Sequence, residues 1–193
     1  MADLLVNAHS TAQWHSLVQE AQSHSGVSLD EDLESYLVFL LMRYTQKPEL
    51  AAKILAIEYL RGATSMGTHR REQMRDVGDQ CLLYSGLFPR RAERRRVRVS
   101  YYVDLGRSAY HDAAEAVPTK VSDMFFNLAE SFVQMMDTLQ AMRRVSKHSQ
   151  PTLDPLNAVE LWQDTRSQGA RQVLADITDA TPVWQTSDDK QKH

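Results

Sequence analysis

Between Pro118 and Lys147 apolar side chains recur every three or four residues: Val121, Met124, Phe125, Leu128, Phe132, Met135, Met136, Leu139 and Met142. An α-helix of this period puts its apolar groups on one face, whereas a β-strand would need strict alternation. The spacing predicts one helix over about 118–147, the longest of the chain, spanning roughly 45 Å at ~1.5 Å rise per residue. So broad an apolar face needs other helices to cover it.

The rest of the sequence supplies them. Trp14, Leu17, Val18 and Ala21 mark a helix over about 11–24, with Ser10 and Gln13 at capping-box spacing and Gly26 as its stop. Leu33, Tyr36, Leu37, Leu40, Leu41 and Tyr44 mark a second over about 29–46, capped by Ser28 and Glu31. Val38 and Phe39 make that helix apolar nearly all round, which predicts a place at the centre of the core. Pro48 suits the first position of a third helix ending near Arg61. A fourth covers about 68–85 and stops at Gly86 and Pro89. Ser100 caps a fifth, with Tyr102, Leu105, Ala109 and Ala113 inward. A last stretch runs from Pro155 through Ile177, with a bend expected at Gly169. Only 7 glycines and 6 prolines interrupt the chain, and no run alternates cleanly enough for a strand. The expectation is therefore an all-α, single-domain helical bundle of about six to seven helices over 1–178, followed by a polar tail, 179–193, that frays.

Several function classes lose support at this stage. Cys81 is the only cysteine, so no internal disulfide forms and nothing points to an oxidising compartment. The opening residues Met1 to Asn7 lack the basic start and apolar stretch of a signal peptide. The most apolar run, Tyr36 to Met42, falls far short of the ~20 residues of a membrane span. A cytoplasmic protein without membrane attachment is expected. The seven histidines form neither His-x-x-x-His nor His-Glu-x-x-His, and no glycine-rich phosphate loop occurs. No catalytic, metal or cofactor site is therefore assigned.

The segment after the fourth helix stands apart. Arg90, Arg91, Arg94, Arg95, Arg96 and Arg98 put six guanidinium groups into nine residues, opposed only by Glu93, for a local charge of +5 in a chain of net charge -3. Guanidinium groups make forked contacts to carboxylate and phosphate. Phe88, Tyr101 and Tyr102 flank the cluster and offer rings for stacking. These arginines and Tyr101 are the candidate binding residues of a non-catalytic regulatory or interaction protein. Its partner would be anionic: an acidic protein surface, a phosphorylated ligand or, less favoured, nucleic acid. The competing structural account pairs the arginines with acidic neighbours, such as those from Asp30 to Glu34, to hold a loop against the bundle. From another class, the Met- and Phe-rich stripe of 118–147 could line the pocket of a small-molecule binder or of an enzyme. Surplus apolar surface on that helix would instead suit a homodimer.

Two weaker constellations read as structure. Cys81 falls on an apolar face with no local base and reads as a small buried hydrophobe. Asp104, Ser108 and His111 have the residue types of a hydrolase triad, but they lie along one helix, where Arg107 pairs with Asp104 or stacks on His111.

The segment from Val77 to Pro89, VGDQCLLYSGLFP, and the segment from Val99 to Tyr110, VSYYVDLGRSAY, together resemble a pattern in functionally uncharacterised helical proteins of bacteria. The span from Val77 to Tyr110 that carries the resemblance is about a fifth of the chain. It implies a helical fold and a bacterial origin, and no activity.

Overall fold

The computed structural model of the chain describes residues 11–46, 55–90, 97–116, 120–146 and 153–177. Apart from short turns these residues are helical, with no strand among them. In chain order the helices are α1 (Thr11–Ser25), α2 (Glu31–Gln46), α3 (Leu55–Ala63), α4 (Gly67–Leu87), α5 (Val99–Glu115), α6 (Lys120–Glu130), α7 (Phe132–Ser146), α8 (Pro155–Thr165) and α9 (Gln168–Ile177). The all-α class holds, but nine helices among the described residues replace the six or seven expected. The cap at Ser10, the helix start at Pro48 and the tail 179–193 lie outside the described residues.

The count rises because two expected helices divide. The helix over 118–147 breaks at Ser131. The Ser131 amide still donates to Asn127 O at 2.9 Å, and its carbonyl accepts from Met135 N at 3.0 Å. Its hydroxyl donates to Asn127 Oδ1 at 3.3 Å, and Asn127 in turn donates to Asp30 at 2.9 Å. Polar side chains at the joint thus bond to one another and to the start of α2. The two halves serve different neighbours: α6 packs on α5, and α7 packs on α1 and α4. Most of the apolar stripe is consumed there, since Phe125, Leu128, Phe132, Met135, Met136, Leu139 and Met142 are all buried, while Val121 and Met124 at the start of α6 stay exposed. Each such side chain contributes about 1.5–3 kcal/mol.

The last helix divides at Arg166 and Ser167, ahead of the bend expected at Gly169. Arg166 takes a left-handed conformation, φ 62°, which is uncommon for a residue with a Cβ. Its amide donates to Trp162 O at 3.0 Å, and its guanidinium lies 5.3 Å from the centre of the Trp162 ring. Gly169 sits inside α9, where an added Cβ would come 3.0 Å from Asp137 Oδ1. The start of α2 is shifted too. Asp30 Oδ1, rather than the Ser28 and Glu31 box, accepts from the Leu33 amide at 2.8 Å. That bond holds the Asp30 carboxyl below its usual range. At Gly26 the chain leaves α1 with φ +67°, a conformation that glycine adopts freely.

The centre of the core is α4, not the helix over 29–46. Every residue from Val77 to Leu87 is buried, whereas α2 leaves Phe39 63% exposed. Asp79, Gln80 and Ser85 disguise α4 in the sequence, because polar residues normally mark a solvated face. Ser85 satisfies its hydroxyl on Cys81 O at 2.9 Å, and its own carbonyl accepts from Gln140 Nε2 at 3.0 Å. The most extensive packing joins α4 to α5, with Phe132 of α7 fitted against them. At Gly78 a Cβ would lie 2.5 Å from Tyr110 Cε1, and at Gly106 one would lie 2.6 Å from Phe132 Cζ and 2.8 Å from Cys81 Cβ. Gly106→Ala and Gly78→Ala should each lower stability by about 1–3 kcal/mol, because a filled core resists added volume. Urea unfolding checks this, and an unchanged midpoint for both would mean that the helices separate without cost.

Candidate functional site

The arginine-rich segment connects the two most intimately packed helices, and the core holds both of its ends. The Phe88 amide donates to Leu83 O and Tyr84 O at 3.2 Å, and its buried ring packs edge-on against Tyr44. At the other end Val99 and Ser100 are buried. Arg90 is half-buried and Arg98 is exposed. Arg91, Arg94, Arg95 and Arg96 lie outside the described residues.

Arg98 meets acids on α8, which packs on α5. Its guanidinium lies 3.5 Å from Glu160 Oε1 and 4.0 Å from Asp164 Oδ2. Two of the acids from Asp30 to Glu34 have other partners. Asp30 caps α2, while Glu34 takes His15 Nδ1 at 2.8 Å and Gln22 Nε2 at 3.0 Å. An open groove of about 720 Å³ runs beside Arg98, lined by Val97, Ser100, Tyr101, Asp104 and Asp164. Tyr101 is 43% exposed and touches Tyr102 edge-on. Tyr102 is buried and stacks on Tyr84 with centroids 5.5 Å apart. Of the three flanking aromatics, then, only Tyr101 offers a surface ring. The Tyr101 amide donates to Arg98 O at 3.2 Å, so the first turn of α5 holds these two candidates side by side.

The remaining candidates resolve into packing. Cys81 is fully buried, and burial pushes its thiol well up, away from the reactive thiolate. Asp104 and Ser108 are exposed. His111 packs against the Phe126 ring, centroids 5.6 Å apart, and lies 3.6 Å from Glu130. Arg107 pairs with that same Glu130 at 3.7 Å rather than with Asp104. Among the described residues no three His, Cys, Asp or Glu side chains are grouped to hold a metal ion. No helix among them is long and apolar enough to cross a membrane.

Two buried carboxylates escaped the sequence reading. Asp79 of α4 accepts from the Tyr36 hydroxyl at 2.6 Å and the Tyr110 hydroxyl at 2.8 Å on one oxygen. Its other oxygen takes the Arg43 guanidinium. Burial pushes the Tyr36 phenol up to about 12 and Tyr110 well above its usual value, so both remain donors. The only signal was an aspartate set among Val77, Cys81 and Leu82, without an obvious partner nearby in sequence.

Asp137 of α7 caps α9 from a distance. It accepts from Ser167 Oγ and, at 2.8 Å, from the Gln168 amide. Burial pushes its carboxyl up from 3.8 to about 6, against the pull of those bonds and of Arg144. Burial also lowers Arg144, which faces Asp137 and Asp176.

Asp79→Ala would leave Arg43 and two phenol hydroxyls without their acceptor. It should cost about 3–5 kcal/mol, read from urea unfolding. A loss under about 1 kcal/mol would show that water replaces the carboxylate. For Asp137 the folded value lies above the unfolded one. Its contribution is therefore complete below about pH 4 and is lost as pH rises through about 6. Relative to Asp137→Asn, the wild-type urea midpoint should fall across that window and level off above about pH 7. A rise would mean that the hydrogen bonds outweigh burial.

No family model, curated protein or solved structure matches the chain.

Proposed function

We propose that the chain is a non-catalytic regulatory or interaction protein of the cytoplasm that takes an anionic partner through Arg90, Arg91, Arg94, Arg95, Arg96, Arg98 and Tyr101. The observation that carries this is the charge of the segment, +5 within nine residues of a chain of net charge -3. Its place in the fold adds support. The residues that flank it, Phe88 and Val99, are buried, and Arg98 and Tyr101 line one groove. The Arg98 side chain is 64% exposed, and its two ion pairs are long. Such pairs are worth about 0–1 kcal/mol in water, so an incoming anion exchanges for them readily.

A pocket for a small apolar ligand, as in an enzyme or carrier, has less support. Phe125, Phe132, Met135, Met136 and Met142, which would line it, are buried against neighbouring helices, and Phe126 faces outward.

Replacing Arg94, Arg95 and Arg96 together with Ala should leave the thermal midpoint nearly unchanged and weaken retention on an immobilised polyanion at low salt. The wild type should elute by about 200 mM salt, because contacts between arginines and a polyanion weaken steeply with counterion concentration. Loss of many degrees of thermal stability in the triple variant, with retention unchanged, would assign the arginines to the fold instead.

A further inference from the structure

Arg98 already has an occupant. Glu160 and Asp164 stand four residues apart on α8 and so share one face of that helix. One guanidinium reaches both, through Nη2 to Glu160 and Nη1 to Asp164. α8 is fixed in place by its buried Ala158 and Leu161, and Asp154 caps it by accepting from the Leu156 amide at 3.0 Å. The acidic face is therefore presented by a rigid element rather than by a wandering loop.

We propose that this face of α8 is an internal ligand of Arg98, and that the partner is a protein offering a similar acidic helical face, whose carboxylates displace Glu160 and Asp164 from the guanidinium while α8 stays in place. This rests on the function proposed above for segment 90–98. The spacing defines the partner chemistry: carboxylates at i and i+4 of a helix, one turn apart. The contacts that α8 makes are of the kind a competitor replaces, since at 3.5 and 4.0 Å and partly in water they hold little energy. The groove also discriminates. Asp104 and Asp164 line it beside Arg98. A nucleic acid, with a charge every ~1.7 Å along the duplex, would run its phosphates past those carboxylates. A helix places two carboxylates on the guanidinium and neutral side chains elsewhere.

The test is fluorescence anisotropy at low salt with a helical peptide carrying glutamates at i and i+4, and with a single-stranded oligonucleotide of equal length. Removing the internal ligand in the double variant Glu160→Gln/Asp164→Asn should tighten peptide binding about three- to fivefold. The control Glu20→Gln/Glu31→Gln makes the same change in net charge at exposed sites on α1 and at the start of α2. It should shift binding less than about 1.5-fold. In an Arg98→Ala background the gain from the α8 substitutions should vanish. An equal gain in the control, or a gain that survives without Arg98, overturns the internal ligand. Tighter binding of the oligonucleotide than of the peptide overturns the partner class. The Arg94, Arg95 and Arg96 triple variant separates the two levels. Peptide binding indifferent to it and to Arg98→Ala removes the arginine site itself. Binding lost in the triple variant but unmoved by the α8 substitutions removes only the internal ligand.

Discussion

Asp79 places a carboxylate in the interior of α4, and the geometry of three helices follows from how that charge is met. Tyr36 and Arg43 come from α2, one on each carboxylate oxygen, and Tyr110 comes from α5. A buried charge without partners would cost several kcal/mol, so α2 and α5 must sit where these groups reach it. Apolar burial supplies the drive to collapse but sets no unique register. Three polar groups that must converge on two oxygens do set one.

The same contact brings together two segments, Val77 to Pro89 and Val99 to Tyr110. Asp79 and Gly78 lie in the first, and Tyr110 and Gly106 in the second. The Tyr110 ring crosses Gly78 while its hydroxyl reaches Asp79. Tyr84 and Tyr102, one from each segment, stack farther along. The α4–α5 pair is thus both the most extensively packed part of the core and the frame from which the arginine-rich segment is hung.

The two kinds of ion pair contrast. Arg43, itself a third exposed, meets a buried Asp79, and separating them leaves the buried carboxylate uncompensated. Arg98 meets Glu160 and Asp164 in water, and exchange for another acid costs little. The first holds helices in register, and the second contributes little to the fold. Asp137 stands between these cases. Nearly free of solvent, it caps α9 with its carboxylate and ties the last helix to α7. Burial and hydrogen bonding pull its ionisation in opposite directions.

The sequence by itself determined that the chain is helical, roughly where most of its helices run, and where its positive charge is concentrated. These are local properties: periodicity, turn residues and composition act within a few positions of one another. Tyr101 was legible as a candidate for the same reason, being next to the charge. Only the tertiary structure decided that α4 rather than α2 is central, since the polar residues that hid this find their partners on other helices. It also decided that the stripe of 118–147 divides at Ser131, where the chain passes from one set of neighbours to another. The acids beside Arg98 were likewise beyond local reach. Glu160 and Asp164 lie more than sixty residues away in sequence, and only the packing of α8 on α5 brings them to the guanidinium.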